Sequence, residues 1–261
     1  AGRLDLDAPV QRYVPSFPEK RAGVVTTRLL GGHIAGIRHY REGEFASDVQ
    51  YDDVLDALKI FSVDPLEFAP GEDYLYSTYG WNLISAVVQG ASGERFLSYM
   101  RHRVFDPLEM TSTVAEHNDS IVPFRGRQYQ RGQDTRLLNA PGVNNSNKWA
   151  GGGYLSTASD LVRYGAAYLE PGFLEPETIS LLWTSQRTSD GDATGYGIGW
   201  RTGVEDGRRE VWHTGGAVGG STILLIWPAE HIVVSILTNL EDAGPITAAR
   251  EIAALFAAAQ R

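Results

Sequence analysis

The chain has 261 residues, of which 43% are hydrophobic and 21% charged, a balance typical of a folded protein with a sizeable core. This length exceeds that of a usual single core, so one large lobe or two interleaved lobes are expected. The formal net charge of -9 would repel a phosphate backbone, and we therefore expect no nucleic-acid partner. Cysteine is absent, which excludes disulfides, thiolate metal sites and a cysteine nucleophile. No stretch approaches the roughly 18 apolar residues of a membrane span.

The first 50 residues are punctuated by prolines and glycines, which predict irregular backbone with only short elements. Further along, apolar residues recur at helical spacing. This spacing predicts helices over 51–60, 81–88, 96–104 and 161–168. The segment 116–147 is polar, rich in turn residues and without a regular period. The middle of the chain is therefore expected to be mostly helical.

The last 60 or so residues change character. Short runs of β-branched and aromatic residues alternate with turns and predict an antiparallel meander, with strands over 196–200, 210–212, 222–227 and 232–237. An alanine-rich helix is predicted from Pro245 to Ala259. Its apolar face is expected to pack on the sheet through Ile246, Ala249, Ile252, Ala253 and Phe256.

The predicted fold class is α+β, with an antiparallel sheet flanked by helices and a mostly helical lobe. We interpret 1–261 as one domain. Its helical lobe is placed at about 15–195, and its sheet lobe combines 1–14 with about 196–261.

Tyr76 lies in a turn between Pro70 and the helix predicted near Trp81, where a phenol can be held rigidly and directed into a cleft. A tyrosine whose pKa is lowered by nearby cations can act as a general base. The alternative is a structural role, because tyrosines in loops usually pack and form local hydrogen bonds. Tyr76 is therefore a candidate catalytic residue that needs support from other motifs.

His213-Thr214-Gly215-Gly216 follows a predicted strand and is rich in small residues, which leaves the strand edge bare. Free N–H and C=O groups on such an edge can bind an extended acyl compound by strand addition, and one N–H can stabilise an oxyanion. The alternative is a glycine-rich hairpin with an incidental histidine.

Three other chemistries are disfavoured. The six histidines include no pair at the four-residue spacing of a zinc-protease helix, so no metal and no cofactor are expected. Gly151-Gly152-Gly153 lacks the Lys-Ser/Thr of a phosphate-binding loop. No Gly-x-Ser-x-Gly elbow is present, which argues against an ordinary α/β-hydrolase.

Taken together, three motifs resemble those of class C β-lactamases and their esterase and DD-peptidase relatives, in order and in spacing: Tyr76-Ser77-Thr78, the segment 150–161 and His213-Thr214-Gly215-Gly216. The segments 36–40, 144–153 and 213–219 resemble most closely the subgroup of mitochondrial serine β-lactamase-like proteins and their bacterial relatives. The resemblance runs over nearly the whole chain and implies a β-lactamase/transpeptidase-like fold.

In that family the catalytic serine and lysine form a Ser-x-x-Lys turn on a helix, which precedes a segment similar to 2–9 of this chain. None of the 261 residues is a serine followed three positions later by lysine. The resemblance therefore implies that the nucleophile and the first sheet strands lie outside this sequence.

The resemblance also implies roles for individual residues. Tyr76 would relay the serine proton, and the Gly216 N–H would form half of an oxyanion hole. His213 stands where lactamases carry lysine, and histidine there is familiar among peptidase and esterase relatives. Thr78, where the family commonly has asparagine, would contact substrate together with Thr214 and Gly215. At 33–36 the chain has His-Ile-Ala-Gly instead of the usual His-Thr-Ser-Gly, which we interpret as drift in a scaffold loop.

The leading hypothesis is an acyl-serine hydrolase acting on a small acyl or peptide substrate, with peptidase activity ranked before esterase and esterase before lactamase. One alternative is a scaffold or assembly protein that has kept the fold without catalysis. Another is one piece of a longer or nicked protein that associates with an N-terminal fragment or with its own copies. The compartment stays open, with a bacterial periplasmic or secreted location favoured.

Overall fold

A computed structural model describes residues 2–260. The α-helices of this part of the chain are α1 (Thr27–Gly31), α2 (Val54–Ala57), α3 (Thr78–Ser92), α4 (Phe96–Met100), α5 (Trp149–Gly152), α6 (Ala158–Ala166), α7 (Pro176–Trp183) and α8 (Ile246–Ala259). Its strands are β1 (Val114–Ala115), β2 (Tyr129–Arg131), β3 (Leu137–Asn139), β4 (Tyr154–Leu155), β5 (Arg201–Glu205), β6 (Arg208–Ala217), β7 (Gly220–Trp227) and β8 (Ile232–Thr238).

The helix α3 is the centre of the helical region. Tyr79, Leu83 and Val87 lie on one face at four-residue spacing, and all three are fully buried in the main hydrophobic core. The helix ends at Gly93, whose φ of 73° lies in the left-handed region that a glycine adopts without steric cost. The predicted helix near 81–88 is therefore present and starts three residues earlier.

The strands β5 to β8 form a four-stranded antiparallel sheet in sequence order. Alternate residues of β7 face opposite sides, as the two-residue period of a strand requires. Ile223 and Leu225 pack with α8, whereas Leu224 and Ile226 pack with Tyr168 and Trp183 at the ends of α6 and α7. Helices therefore cover both faces of the predicted meander.

The first predicted strand, at 196–200, is wrong. Regular pairing begins only at Arg201, and 196–200 forms a glycine-punctuated turn in which Tyr196 makes a single bridge to Arg201. Gly199 has a φ of 78°, which is incompatible with a continuous strand. The aromatic residues in this run are typical of a strand, but the glycines determine the backbone conformation.

The packing face of α8 also differs from the prediction. Its buried residues are Ala249, Ala253 and Ala257, a row of small side chains that allows close approach to β7 and β8. Phe256 is 63% exposed and Ile252 36% exposed, so neither packs into the core as predicted.

The predicted loop 116–147 contains one small hairpin, in which β2 pairs with β3. After this segment, Gly151 and Gly152 of the Gly151-Gly152-Gly153 run belong to the short helix α5. No helix among residues 2–260 combines the length and the apolar character that crossing a bilayer would require.

Candidate active site

Tyr76 directly precedes the N-terminus of α3. The next residue, Ser77, caps the helix, because its hydroxyl oxygen accepts the Gly80 N–H at 3.0 Å. The Ser77 hydroxyl also donates to the Arg38 carbonyl oxygen at 2.6 Å. The serine beside Tyr76 is therefore a buried structural cap, and the tyrosine is held at a fixed point where loop becomes helix.

The structure brings the second predicted motif to the same place. His213 lies on β6, 137 residues from Tyr76 in the sequence, and the centroids of the two rings are 6.2 Å apart. Both side chains are partly buried. The phenol and the histidine-bearing strand therefore lie side by side.

The strand β6 has an open edge that begins at His213. The strand β5 pairs with β6 only as far as Trp212, whereas β7 pairs with it up to Ala217. Within residues 2–260, the stretch 213–216 thus has a strand neighbour on one side only, and alternate N–H and C=O groups point away from β7. Thr214, Gly215 and Gly216 are exposed.

The two glycines of this stretch serve different purposes. A Cβ at Gly215 would overlap the Thr222 hydroxyl on β7, so close strand packing requires glycine there. A Cβ at Gly216 would meet no atom within 4 Å. The space over Gly216 is therefore open to a ligand.

Thr78 is the predicted site residue that the structure buries, with only 5% of its surface exposed. Its backbone N–H donates to His39 Nδ1 at 3.2 Å. A Cβ at Gly151 would overlap its methyl group. Thr78 thus lies in contact with protein groups.

Burial sets the charge of the site. It raises the pKa of Tyr76, and the nearby Arg201 guanidinium opposes this shift only in part. Burial lowers the pKa of His213 to about 4. The Arg201 cation also lowers this pKa, whereas a hydrogen bond with the Thr214 backbone raises it. Both groups are neutral at pH 7 in this chain. The expectation that cations lower the pKa of Tyr76 is therefore not met by the described residues.

Four further residues around Tyr76 were not identified as site residues from the sequence. Tyr196 is fully buried, and its hydroxyl is 2.7 Å from His213 Nε2. His33 and His39 pack against the Tyr76 ring. The Arg201 guanidinium lies 5.7 Å from the centre of the Tyr196 ring. His33 and His39 both lie in segments compared with the family, but only the fold reveals that these residues meet Tyr76.

A depression of about 570 Å³ adjoins this cluster beside Tyr74. Its lining includes the four carboxylates Glu72, Asp73, Asp190 and Asp192, but neither Tyr76 nor His213. The depression therefore does not contain the two predicted catalytic side chains.

An antiparallel sheet covered by helices on both faces, with a tyrosine at a helix N-terminus beside a His-Thr-Gly strand edge, defines the class of β-lactamase/transpeptidase-like folds. The chain belongs to the beta-lactamase family, whose model matches residues 1–259. It is 33% identical to the human mitochondrial serine beta-lactamase-like protein LACTB over 98% of this chain and 66% of that protein. The chain thus spans slightly less than two thirds of this relative.

Solved structures agree on the fold. The D-stereospecific amidohydrolase from a Streptomyces species is similar with a TM-score of 0.81 and 22% identity, over 97% of this chain and 79% of that one. The octameric penicillin-binding protein homologue from Pyrococcus abyssi has a TM-score of 0.82 and 23% identity, over 98% of this chain and 60% of that one. The resemblance to a β-lactamase-like fold is therefore confirmed.

Proposed function

We propose that this chain forms most of an acyl-serine hydrolase that cleaves amide or ester bonds, and that the nucleophile comes from a Ser-x-x-Lys segment outside these 261 residues. The observation that carries the proposal is the meeting of Tyr76 and His213, with ring centroids 6.2 Å apart, beside the open edge of β6. A covalent mechanism needs a nucleophile, a proton relay and an oxyanion site in one cleft. The chain offers candidates for the second and the third.

In the proposed reaction the serine oxygen attacks the substrate carbonyl carbon, and its proton passes through lysine and Tyr76 to the leaving group. The Gly216 N–H donates to the oxyanion of the tetrahedral intermediate. The bond to the leaving group then breaks, and water hydrolyses the resulting acyl-serine. Burial raises the pKa of Tyr76, and the nearby Arg201 opposes this shift only in part, so the lysine would supply the further charge that makes the phenol a usable relay.

An extended acyl or peptide substrate fits the open edge best. It could add to β6 along Thr214, Gly215 and Gly216, whose backbone is exposed. The Arg201 guanidinium beside the cleft would attract a substrate carboxylate. We rank peptidase activity first, in keeping with the amidohydrolase named among the structural relatives, esterase activity second and lactamase activity third, because His213 stands where lactamases have lysine.

A partner strand is supported by a separate observation. In the described part of the chain β8 pairs only with β7, and its sequence Ile-Val-Val-Ser-Ile-Leu-Thr has no charge or proline to protect the outer edge. A segment outside these residues, or another copy, would complete this edge. An octameric homologue supports assembly of copies as part of the proposal.

The rival proposal is a scaffold that keeps the fold without catalysis. Reaction of the full-length protein with a fluorophosphonate probe separates the two. We expect a covalent serine adduct in the wild type, and labelling slowed by about 10²- to 10⁴-fold in Tyr76→Phe, because the proton relay is lost. Tyr99→Phe on α4 is the matched control and should label at the wild-type rate. No adduct on the wild type would refute the hydrolase proposal, and full-rate labelling of Tyr76→Phe would refute the relay role of Tyr76.

A further inference from the structure

Tyr76 lies between two histidines. The ring of His33 is 4.3 Å from the Tyr76 ring between centroids, tilted by 35°, and the ring of His39 is 5.7 Å away and edge-on at 87°. The two histidines come from the chain between α1 and α2, and Tyr76 from the loop that leads into α3. Two imidazoles thus confine the phenol from different directions.

The same two imidazoles bind the backbone that follows Tyr76. The Ser77 N–H donates to His33 Nδ1 at 3.0 Å, and the Thr78 N–H donates to His39 Nδ1 at 3.2 Å. Ser77 is the N-cap of α3 and Thr78 its first residue, and the first N–H groups of a helix have no partner within the helix. Each histidine therefore satisfies one backbone donor and also touches the tyrosine that precedes it.

We propose that His33 and His39 are positioning residues that hold Tyr76 in the cleft, which rests on the role proposed for Tyr76 above. An imidazole can accept at Nδ1 only when that nitrogen carries no proton, so both rings must be neutral with the proton on Nε2. His33 is 2% exposed, and its Nε2 has no hydrogen-bond partner among the described residues. What the protein uses at this position is the Nδ1 acceptor.

The surroundings of both rings favour the neutral form. His33 faces the cation Arg201, the imidazoles of His213 and His39 and the phenols of Tyr74, Tyr76 and Tyr196. His39 faces the cation Lys148 and the phenols of Tyr40 and Tyr76.

The charged side chains that lower the pKa of the two rings are the cations Arg201 for His33 and Lys148 for His39. Burial lowers the pKa of His33 to about 3 and also lowers that of His39, and the positive end of α3 acts in the same direction. Both acceptors should therefore persist at neutral pH.

Paired substitutions at His39 and His33 test the role. Asparagine keeps an acceptor close to the position of Nδ1, whereas His39→Phe keeps the ring contact and His33→Leu keeps bulk without an acceptor. In the full-length protein we expect fluorophosphonate labelling to slow by about 10²-fold in His39→Phe and His33→Leu, because a small displacement of a catalytic group has effects of that size. The asparagine variants should recover most of the rate, and KM for a small ester should stay unchanged throughout.

Nuclear magnetic resonance of the imidazole nitrogens separates this proposal from the hydrolase proposal, because it needs no activity. We expect both histidines as the Nε2–H tautomer from pH 8 to pH 6, with the Ser77 and Thr78 amides protected from hydrogen exchange. A proton on Nδ1 of either ring would overturn the positioning role, as would wild-type labelling rates in the acceptor-free variants. The expected tautomers in a protein that the probe does not label would instead overturn the hydrolase proposal and leave the hydrogen bonds as purely structural.

Discussion

At the residue scale, the site is a group of buried and partly buried phenols and imidazoles, whose surroundings favour their uncharged forms. His213 illustrates how this arises, because burial and the nearby Arg201 both oppose a second proton on its ring. The Tyr196 hydroxyl is 2.7 Å from Nε2 and gives that nitrogen a partner. A neutral histidine in place of a lysine changes the electrostatics of the strand edge, which favours a peptidase or an esterase over a lactamase in our proposal.

The lowered histidine pKa values predict that stability decreases in mild acid. The folded-state pKa is about 4 for His213 and about 3 for His33, against 6.5 for a free histidine, so below pH 6.5 the unfolded chain binds protons that the folded chain does not. The free energy of unfolding should fall by about 1.4 kcal/mol per pH unit for each group between pH 6.5 and about 4.

Urea unfolding at pH 7.5, 6.0 and 5.0 measures this effect. His213→Gln should lose part of the slope, whereas His231→Asn should keep it, since His231 is exposed and its φ of 53° suits asparagine. A urea midpoint that stays constant from pH 7.5 to 5.0 in the wild type would contradict the conclusion that His33 and His213 stay neutral in the folded protein.

At the scale of elements, α3 joins the site to the core. Tyr76 and its cap stand at one end of the helix, and Gly90 near the other end passes close to Tyr13. A Cβ at Gly90 would overlap the Tyr13 carbonyl oxygen, whereas a Cβ at Gly80 would lie 3.7 Å from a Leu30 methyl group in ordinary contact. The two helical glycines therefore have different reasons to be glycine.

We predict opposite effects of alanine at these two positions. Gly90→Ala should destabilise the protein by about 1–3 kcal/mol, because the backbone of Tyr13 would have to move. Gly80→Ala should be neutral or stabilising by up to about 1 kcal/mol, since it only lowers the entropy of the unfolded chain. Chemical denaturation of both variants gives the comparison, and equal effects would show that the approach of α3 to Tyr13 is looser than described.

The sequence predicted some of these elements correctly and others wrongly. The strands β7 and β8 and the helix α3 were predictable because hydrophobic periodicity and turn residues agreed there. The strand expected at 196–200 is absent, because the prediction gave its aromatic residues more weight than its glycines. Phe256 was wrongly assigned to the packing face of α8, because a large apolar side chain is a stronger sequence signal than a row of alanines. The proximity of Tyr76 and His213 was predictable from motifs, but the contacts of Tyr196, Arg201, His33 and His39 depend on tertiary packing, which no local pattern encodes.

At the scale of the whole molecule, Tyr76 and His213 meet where the helical region contacts the sheet. Tyr76 comes from the loop that enters α3, and His213 from the strand where β5 stops pairing. Separate elements therefore supply the proposed relay and the proposed oxyanion donor, and the reacting serine would have to enter between them.

The most direct test is a crystal structure of the full-length protein after reaction with a fluorophosphonate. We predict a phosphonylated serine of a Ser-x-x-Lys motif with its oxygen within hydrogen-bonding distance of the Tyr76 hydroxyl, and a phosphonyl oxygen accepting the Gly216 N–H. An adduct on a serine remote from the Tyr76 and His213 cleft would contradict the proposed active site.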